Sequence, residues 1–213
     1  MKKSVLLFFV LTLSFFLNAQ DLSVIFDIKV VKAPKDVKKA LKQVDESDFI
    51  MKFSGNKSYS KINLFGMFTQ TIVFDSDSGE GFILMDISAQ KILIKVNREQ
   101  LNEYNKGKDI KPIVEEVKGT KKVLDHDCNK ALLKYSDGKE YTVYYSKAIK
   151  YKHENFDYLD GFPLDYSTEQ NNMVLTMTAS AVDQKTKVDA NLFEIPSGYT
   201  EISFEKLMEL QQK

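Results

Sequence analysis

The densest group of side chains capable of chemistry is residues 125–128, where Asp, His, Asp and Cys follow one another. Imidazole and thiolate are ligands that soft metal ions prefer. The alternation of a strand, however, sends His126 and Cys128 to one face and the two carboxylates to the other, and a tetrahedral site would need two further strong ligands. His153 is the only other histidine. We therefore interpret this group as a polar turn followed by a small buried thiol, and predict no metal site.

A second group, residues 75–80, has the sequence Asp-Ser-Asp-Ser-Gly-Glu and concentrates the oxygen ligands that calcium prefers. The EF-hand spacing fails because Glu80 stands where the loop needs glycine, and strands rather than helices are predicted on both sides. The pattern therefore favours an acidic hairpin turn.

Catalytic motifs are sparse. Residues 54–58 lack the full spacing of a phosphate-binding loop and the helix that follows one, and the chain contains no Gly-x-Ser-x-Gly segment. Two histidines give little support for a Ser-His-acid triad. An enzyme would need a cleft that gathers His126 or His153 with carboxylates, so we predict no catalytic residues and no cofactor.

The composition excludes several classes of protein. The 213 residues include 30 basic and 30 acidic side chains, and this balance argues against nucleic-acid binding, which needs a clustered basic surplus. A hydrophobic content of 43% fits a folded domain and not a disordered chain. A single cysteine excludes a disulfide framework within the chain. Cys128 could pack in the core, react as a thiol or pair with another chain, and we favour packing.

The first nineteen residues are typical of a secretory signal peptide. A basic start at Lys2 and Lys3 precedes an apolar run over residues 4–17, and residues 18–20 offer a small-residue cleavage point. The run is shorter than the roughly twenty residues that span a membrane, although an uncleaved anchor is the alternative. No cysteine stands near residue 20, so a lipid anchor is not expected. We predict a cleaved signal over 1–19 and a single domain over 20–213, exported to the periplasm or outside the cell, with no transmembrane span.

Period-two alternation of apolar and polar residues predicts a mainly antiparallel β domain. Turn residues at 75–79, 88–90 and 136–138 separate the segments, and the Asp137-Gly138 pair favours a tight hairpin. The predicted strands are 22–31, the segment of Phe49, Met51 and Phe53, those around Ile83–Ile87 and Ile92–Val96, the pair 128–135 and 139–145, and 172–182.

Helices are predicted near both ends of the exported domain. Pro34 begins the first, with an apolar stripe at Val37, Ala40, Leu41 and Val44. Ser203 caps the last, and residues 98–105 form a short third helix. Residues 146–172 are the least regular stretch, and we interpret them as an excursion whose aromatic side chains close one end of the sheet, with a binding loop as the alternative.

Part of the chain resembles known secreted bacterial proteins. Residues 124–131, 137–141 and 144–149 are similar to proteins named for a Gly-Leu-Pro-Gly-Leu-Ile motif, in which a Cys-x-Lys-Ala strand precedes a Trp-Tyr-Thr strand. Here Tyr144 replaces the tryptophan, and residues 161–166 (Gly-Phe-Pro-Leu-Asp-Tyr) replace the naming motif. Together with residues 188–199, this form looks more like a sister group of uncharacterised secreted domains.

That sister group is similar to the periplasmic lipoprotein-carrier and lipoprotein-sorting (LolA-like) superfamily. The resemblance covers roughly residues 110–205 and implies an open, strongly curved antiparallel sheet, a half-barrel, packed over one to three short helices. It also implies an apolar-ligand cavity and carries no catalytic residues.

The predicted function is a non-enzymatic carrier of a lipid, a lipoprotein acyl chain or another apolar ligand. Methionine is flexible, and several Met residues fall on apolar strand faces, where they could adapt to chains of variable shape. The residues expected to line the ligand site are Phe26, Ile28, Met85, Leu175 and Met177, with Phe156, Tyr158 and Phe162 near its mouth. The alternative is a cell-envelope interaction protein with a filled core, an exposed aromatic patch at 156–162 and a protein partner.

Overall fold

The computed structural model describes residues 21–34, 47–64, 66, 68–87, 89–105, 111–151, 156–170 and 173–211. The predicted signal peptide and residues 35–44 of the first predicted helix lie outside the described residues, as does His153.

Twelve strands and two α-helices make up the regular structure of the described chain. In chain order they are β1 (Leu22–Lys32), β2 (Asp48–Ser54), β3 (Lys57–Leu64), β4 (Phe68–Asp75), β5 (Glu80–Ile87), β6 (Gln90–Asn97), α1 (Arg98–Asn105), β7 (Ile113–Val123), β8 (His126–Lys134), β9 (Glu140–Ser146), β10 (Phe162–Gln170), β11 (Met173–Asp183), β12 (Thr200–Glu201) and α2 (Phe204–Gln211). A short 3₁₀ helix, Ala190–Phe193, precedes β12.

All the strands belong to one open sheet, in the order β12-β6-β5-β4-β3-β2-β1-β11-β10-β9-β8-β7. Two antiparallel meanders, β2 to β6 and β7 to β11, are joined through β1, which pairs with β2 on one side and β11 on the other. Among the strands that the structure describes, only β12 runs parallel to its neighbour, β6. The predicted fold class, a mainly antiparallel β protein with short helices, is confirmed.

The strongest sequence signals hold in detail. The predicted strand at 22–31 is β1, the predicted last strand is β11, and residues 98–105 form α1. The Asp137-Gly138 hairpin forms as expected, because Gly138 adopts a φ of 84° and the Lys139 amide donates to the Asp137 carboxylate at 3.1 Å. At the last helix, the Ser203 hydroxyl accepts from the Lys206 amide at 3.3 Å.

Five strands are not predicted from the periodic pattern. Strand β12 has two residues and is too short to show a period, and each of the other four has its own physical reason. Serines alternate with polar residues in β3, and threonines and a glutamine lie on both faces of β4, so neither shows clear contrast. Most of β7 is solvent-exposed. The prediction that residues 146–172 are irregular is wrong for β10, which begins at Phe162. Pro163 lies at a register shift in the pairing of β10 with β9, so the period of this strand is interrupted near its start.

We call the face of the sheet that carries Phe26 the inner face and the opposite one the outer face. The larger cluster of buried apolar side chains is centred on the inner face at β1, β2 and β8 to β11, and includes Phe26 and Phe53. The Phe53 and Phe162 rings lie 6.2 Å apart, although β2 and β10 are three places apart in the sheet, about 14 Å if it were flat. The sheet therefore curves toward its inner face.

The C-terminal segment, residues 189–211, holds the β6 edge of the sheet on both faces, and we call it the clasp. Phe193 and Tyr199 pack on the outer face against a cluster of Val73, Phe82, Leu84 and Leu93. The chain then pairs with β6, where the Ile202 amide donates to the Leu93 carbonyl at 2.9 Å. Finally, α2 packs on the inner face through Phe204 and Leu207, forming a second inner cluster with Ile83, Ile94 and Val96.

Candidate functional site

The inner face of β2 to β6 carries no charged side chain. These strands pair without any register shift, so alternate residues fall strictly on one face. The inner-face residues are Phe49, Met51, Phe53, Ser58, Ser60, Ile62, Leu64, Phe68, Gln70, Ile72, Phe74, Gly81, Ile83, Met85, Ile87, Gln90, Ile92, Ile94 and Val96. Every Lys, Asp and Glu of these five strands, from Asp48 to Lys95, faces outward. The strands themselves therefore place no charge on this surface, and the Arg98 guanidinium of α1 lies over the Phe74 ring, 5.0 Å from its centroid, at the end next to the β4–β5 turn.

A strip of half-buried residues crosses this neutral face between the larger cluster and the second cluster. The register places Phe26, Phe49, Ile62, Gln70 and Met85 side by side in one row across β1 to β5. Phe26 is fully buried, whereas the other four are only half-buried. We define the central strip as Phe49, Ser60, Ile62, Gln70, Ile72 and Met85.

Two serines next to the strip differ in their hydrogen bonding. The Ser58 hydroxyl donates to the Phe74 carbonyl at 3.4 Å. Ser60 lies between Met51 and Ile72 in the adjacent row, and its hydroxyl has no hydrogen-bond partner among the residues that the structure describes. The strip therefore contains a hydroxyl donor with an apolar side chain opposite it on each neighbouring strand.

The structure divides the five predicted lining residues into two groups. Phe26, Ile28 and Met177 meet on the paired strands β1 and β11 as parts of the larger cluster, and Leu175 is buried in the next row. Met85 stands four strands away, half-buried against the second cluster. Phe26 and Met85 thus stand at the two ends of the row that crosses the central strip.

The aromatic residues predicted near a mouth pack onto the larger cluster. Phe156 and Tyr158 are half-buried, and the Phe156 ring lies 5.1 Å from Tyr166 in an edge-to-face contact. Phe162 is 1% exposed and belongs to β10 rather than to a loop. Burial raises the pKa of Tyr166, and the nearby Tyr158 contributes to the same shift. On this side of the inner face, these aromatic side chains cover the larger cluster, and we call them the aromatic cover.

Two tyrosine–carboxylate pairs tie the strands near this cover together. The Tyr145 hydroxyl donates to Glu116 and the Tyr141 hydroxyl to Glu169, both at 2.7 Å. Burial, helped by the hydrogen bond to Glu169, raises the pKa of Tyr141 to about 12. Both phenols are therefore neutral donors at physiological pH, which suits a structural role.

Three of the residues considered for metal chemistry, Cys128, Asp75 and Asp77, make hydrogen bonds within the protein. Cys128 is fully buried, its thiol donates to the His126 carbonyl at 3.6 Å, and burial raises its pKa. In the 75–80 turn, the Asp75 carboxylate accepts from the Asp77 amide at 2.9 Å, and Asp77 accepts from the Asn56 side chain at 2.6 Å. The acidic hairpin turn is therefore confirmed as a turn stabilised by its own carboxylates.

A groove of about 510 Å³, unanticipated from the sequence, opens on the outer face beside the clasp. Val73 and Phe82 contribute to its floor, Phe193 and Ile195 to its wall, and Lys57 stands at its rim with the ammonium 5.9 Å from the Phe193 ring. None of the predicted site residues lines it. No local motif marks this groove, because its wall comes from a segment more than a hundred residues away along the chain.

Comparison with known proteins identifies a shared fold. No family model and no curated protein matches the chain. Two structures of PNGF-II match over 91% of this chain. The structure in space group C2 has a TM-score of 0.52 and 13% sequence identity, and the structure in space group P21 has a TM-score of 0.51 and 12% identity. The chain spans about a third of PNGF-II, 33% and 34% in the two structures. What the two share is a fold.

A LolA superfamily protein from Nitrosomonas europaea, NE2245, also matches, with a TM-score of 0.34 and 12% identity over 83% of this chain and 90% of that one. The resemblance to the Gly-Leu-Pro-Gly-Leu-Ile proteins stays a prediction.

Among the described residues, no helix is both long and apolar enough to cross a membrane.

Proposed function

We propose that this protein is an exported, non-enzymatic carrier that binds the acyl chain of a lipid or lipoprotein along the central strip. The observation that supports it is the neutrality of the inner face of β2 to β6, combined with the half-buried state of the strip. In a solvated antiparallel sheet, one face usually carries polar residues. Here both faces of the meander have apolar clusters, yet the strands place their own charged side chains only on the outer face.

The geometry of the strip suits a flexible apolar chain. Phe49 and Met85 lie three strands apart, which gives the strip a width of about 14 Å. Ile62 and Ile72 stand between them on adjacent rows, and Met85 can adjust its side chain to ligands of different shape. An apolar chain lying here would gain roughly 25 cal/mol for each Å² that it removes from water.

The first experiment purifies the protein from its native cells and analyses it by native mass spectrometry and lipid extraction. We expect one bound lipid or acyl chain in stoichiometric amount. The recombinant protein should also bind the neutral fluorescent probe N-phenylnaphthylamine, whose emission rises in apolar sites. A protein free of lipid that also fails to bind this probe would contradict the proposal and favour an interaction protein.

A matched pair of substitutions tests the location. Gln70→Glu places a charge in the central strip without changing shape, and Asn63→Asp makes the same chemical change on the outer face of β3. Because a charge in an apolar site is costly, Gln70→Glu should weaken probe binding by roughly tenfold or more. Asn63→Asp should leave it unchanged. Equal effects of the two substitutions would place the ligand elsewhere.

A further inference from the structure

Resting on the proposed function, we infer that the central strip selects uncharged acyl derivatives, esters or amides, over free fatty acids, and that the Ser60 hydroxyl donates a hydrogen bond to the carbonyl oxygen of the ligand.

The discrimination against a free acid follows from the charge pattern. A carboxylate that leaves water needs a cation or several donors to balance its desolvation. The described inner-face positions of β2 to β6 supply no Lys and no Arg, and Lys52 and Lys61 point to the outer face. The Arg98 guanidinium of α1 lies beyond the strip, over the Phe74 ring, where it already donates to the Ser76 carbonyl at 3.0 Å. An ester or amide head group carries no net charge and needs only a donor for its carbonyl.

Ser60 supplies such a donor. Its neighbours across the strands are Met51, which is buried, and Ile72, which is half-buried. Ser60 is itself half-buried, so a ligand that lies on the strip would remove its hydroxyl from water, and a carbonyl partner would then satisfy it. Ser58, two residues earlier on the same face, already donates to the Phe74 carbonyl at 3.4 Å. The two serines therefore form a natural pair of test and control.

The selectivity is measured by displacement of bound N-phenylnaphthylamine with methyl decanoate and with decanoate at about pH 8, where the acid is ionised. We expect the ester to displace the probe at a concentration at least about tenfold lower than the acid. Near pH 4 the acid becomes neutral and the gap should narrow, while the affinity of the probe itself reports whether the site is intact.

Ser60→Ala should weaken methyl decanoate binding by about fivefold, and the affinity for the probe, which has no carbonyl, should not change. Ser58→Ala should change neither value. Because the readout is the ratio of two ligands on the same protein, a general loss of folding cannot imitate it.

The outcomes separate this inference from the proposed function. If the ester and the ionised acid displace the probe equally, or if the acid is preferred, the neutral selectivity is wrong while the carrier function stands. If Ser60→Ala and Ser58→Ala behave alike, the role of Ser60 is wrong. If the wild type binds neither the probe nor the ester, both the selectivity and the carrier function fail.

Discussion

The bond between the clasp and the outer face gives the sharpest prediction about stability. The Tyr199 hydroxyl bonds to the Asp86 carboxylate, whose buried Oδ1 atom has no hydrogen-bond partner among the described residues. The substitution Tyr199→Phe removes the donor and keeps the ring packed on the outer cluster. The carboxylate then loses its donor in a partly dry site.

The loss of a hydrogen bond to a charged group, with the acceptor left unsatisfied, costs about 1–3 kcal/mol. For a chain of this size, a change of about 2 kcal/mol lowers Tm by roughly 4–8 °C. The exposed ion pair between Lys95 and Glu201, at 2.9 Å, holds the same segment but contributes little because solvent screens it. We therefore expect Tyr199→Phe to destabilise the protein more than Glu201→Gln.

The pH dependence of the same variant has a defined sign. Burial, together with the hydrogen bond to Asp86, raises the pKa of Tyr199 from its usual 10 to about 12 in the folded state. The neutral phenol thus stabilises the folded protein fully below pH 10, and this contribution disappears as the pH rises through 12. The difference in unfolding free energy between wild type and Tyr199→Phe should shrink over that interval.

The assay is urea unfolding at neutral and alkaline pH, with hydrogen exchange of the Ile202 amide as a local probe of β12. Tyr144→Phe is the control, because the Tyr144 hydroxyl makes no hydrogen bond with the described residues. A Tyr199→Phe variant within about 0.5 kcal/mol of this control, the range of ordinary surface changes, would refute the reasoning. So would an Ile202 amide that exchanges at the wild-type rate.

Three further predictions concern the core, the strip and a surface turn. Cys128 should resist iodoacetamide in the native protein and react fully in urea, because the thiol is buried and its pKa is raised; rapid native labelling would contradict this. Met177→Ala should lower the free energy of unfolding, measured in urea, by about 2–5 kcal/mol, because Met177 is only 5% exposed. Met85→Ala should lower the free energy of unfolding by less and should weaken probe binding by more. Hydrogen bonds from Thr186 and the Lys185 amide lower the pKa of Asp183 to about 2. The ionised carboxylate therefore stabilises the folded protein above pH 4, and this contribution is lost on acidification. In urea unfolding, Asp183→Asn should reduce stability at pH 6 and matter little at pH 2.

The sequence predicts most strands of the sheet from alternation alone, and the reason is visible in β1. Its inner face carries Leu22, Val24 and Phe26, which are buried, while Asp27 and Lys29 stay exposed. Where one face of a strand is buried and the other is exposed to solvent, apolar and polar residues alternate in the sequence. The same contrast is missing from β7, which is exposed on both faces, and β3 places Ser58 and Ser60 on the inner side.

The candidate site could be predicted only in part. Alternation predicts that Phe26 and Met85 are apolar residues on strand faces, but it does not tell how many strands separate them or whether they share a face of the sheet. The register across five strands supplies that information. Ile62 and Gln70 become parts of the same strip through this register, although neither has a distinctive local pattern.

By itself the sequence determined the fold class, the main turns and the short C-terminal helix, because hydrophobic period, glycine conformation and capping act within a few residues. Tertiary structure decided the order of strands, which joins the two meanders through β1, and the path of the clasp over both faces. It also decided that every charge of β2 to β6 faces away from one continuous surface. Neutrality of a whole face depends on the pairing of residues far apart in the chain, and no local pattern contains it.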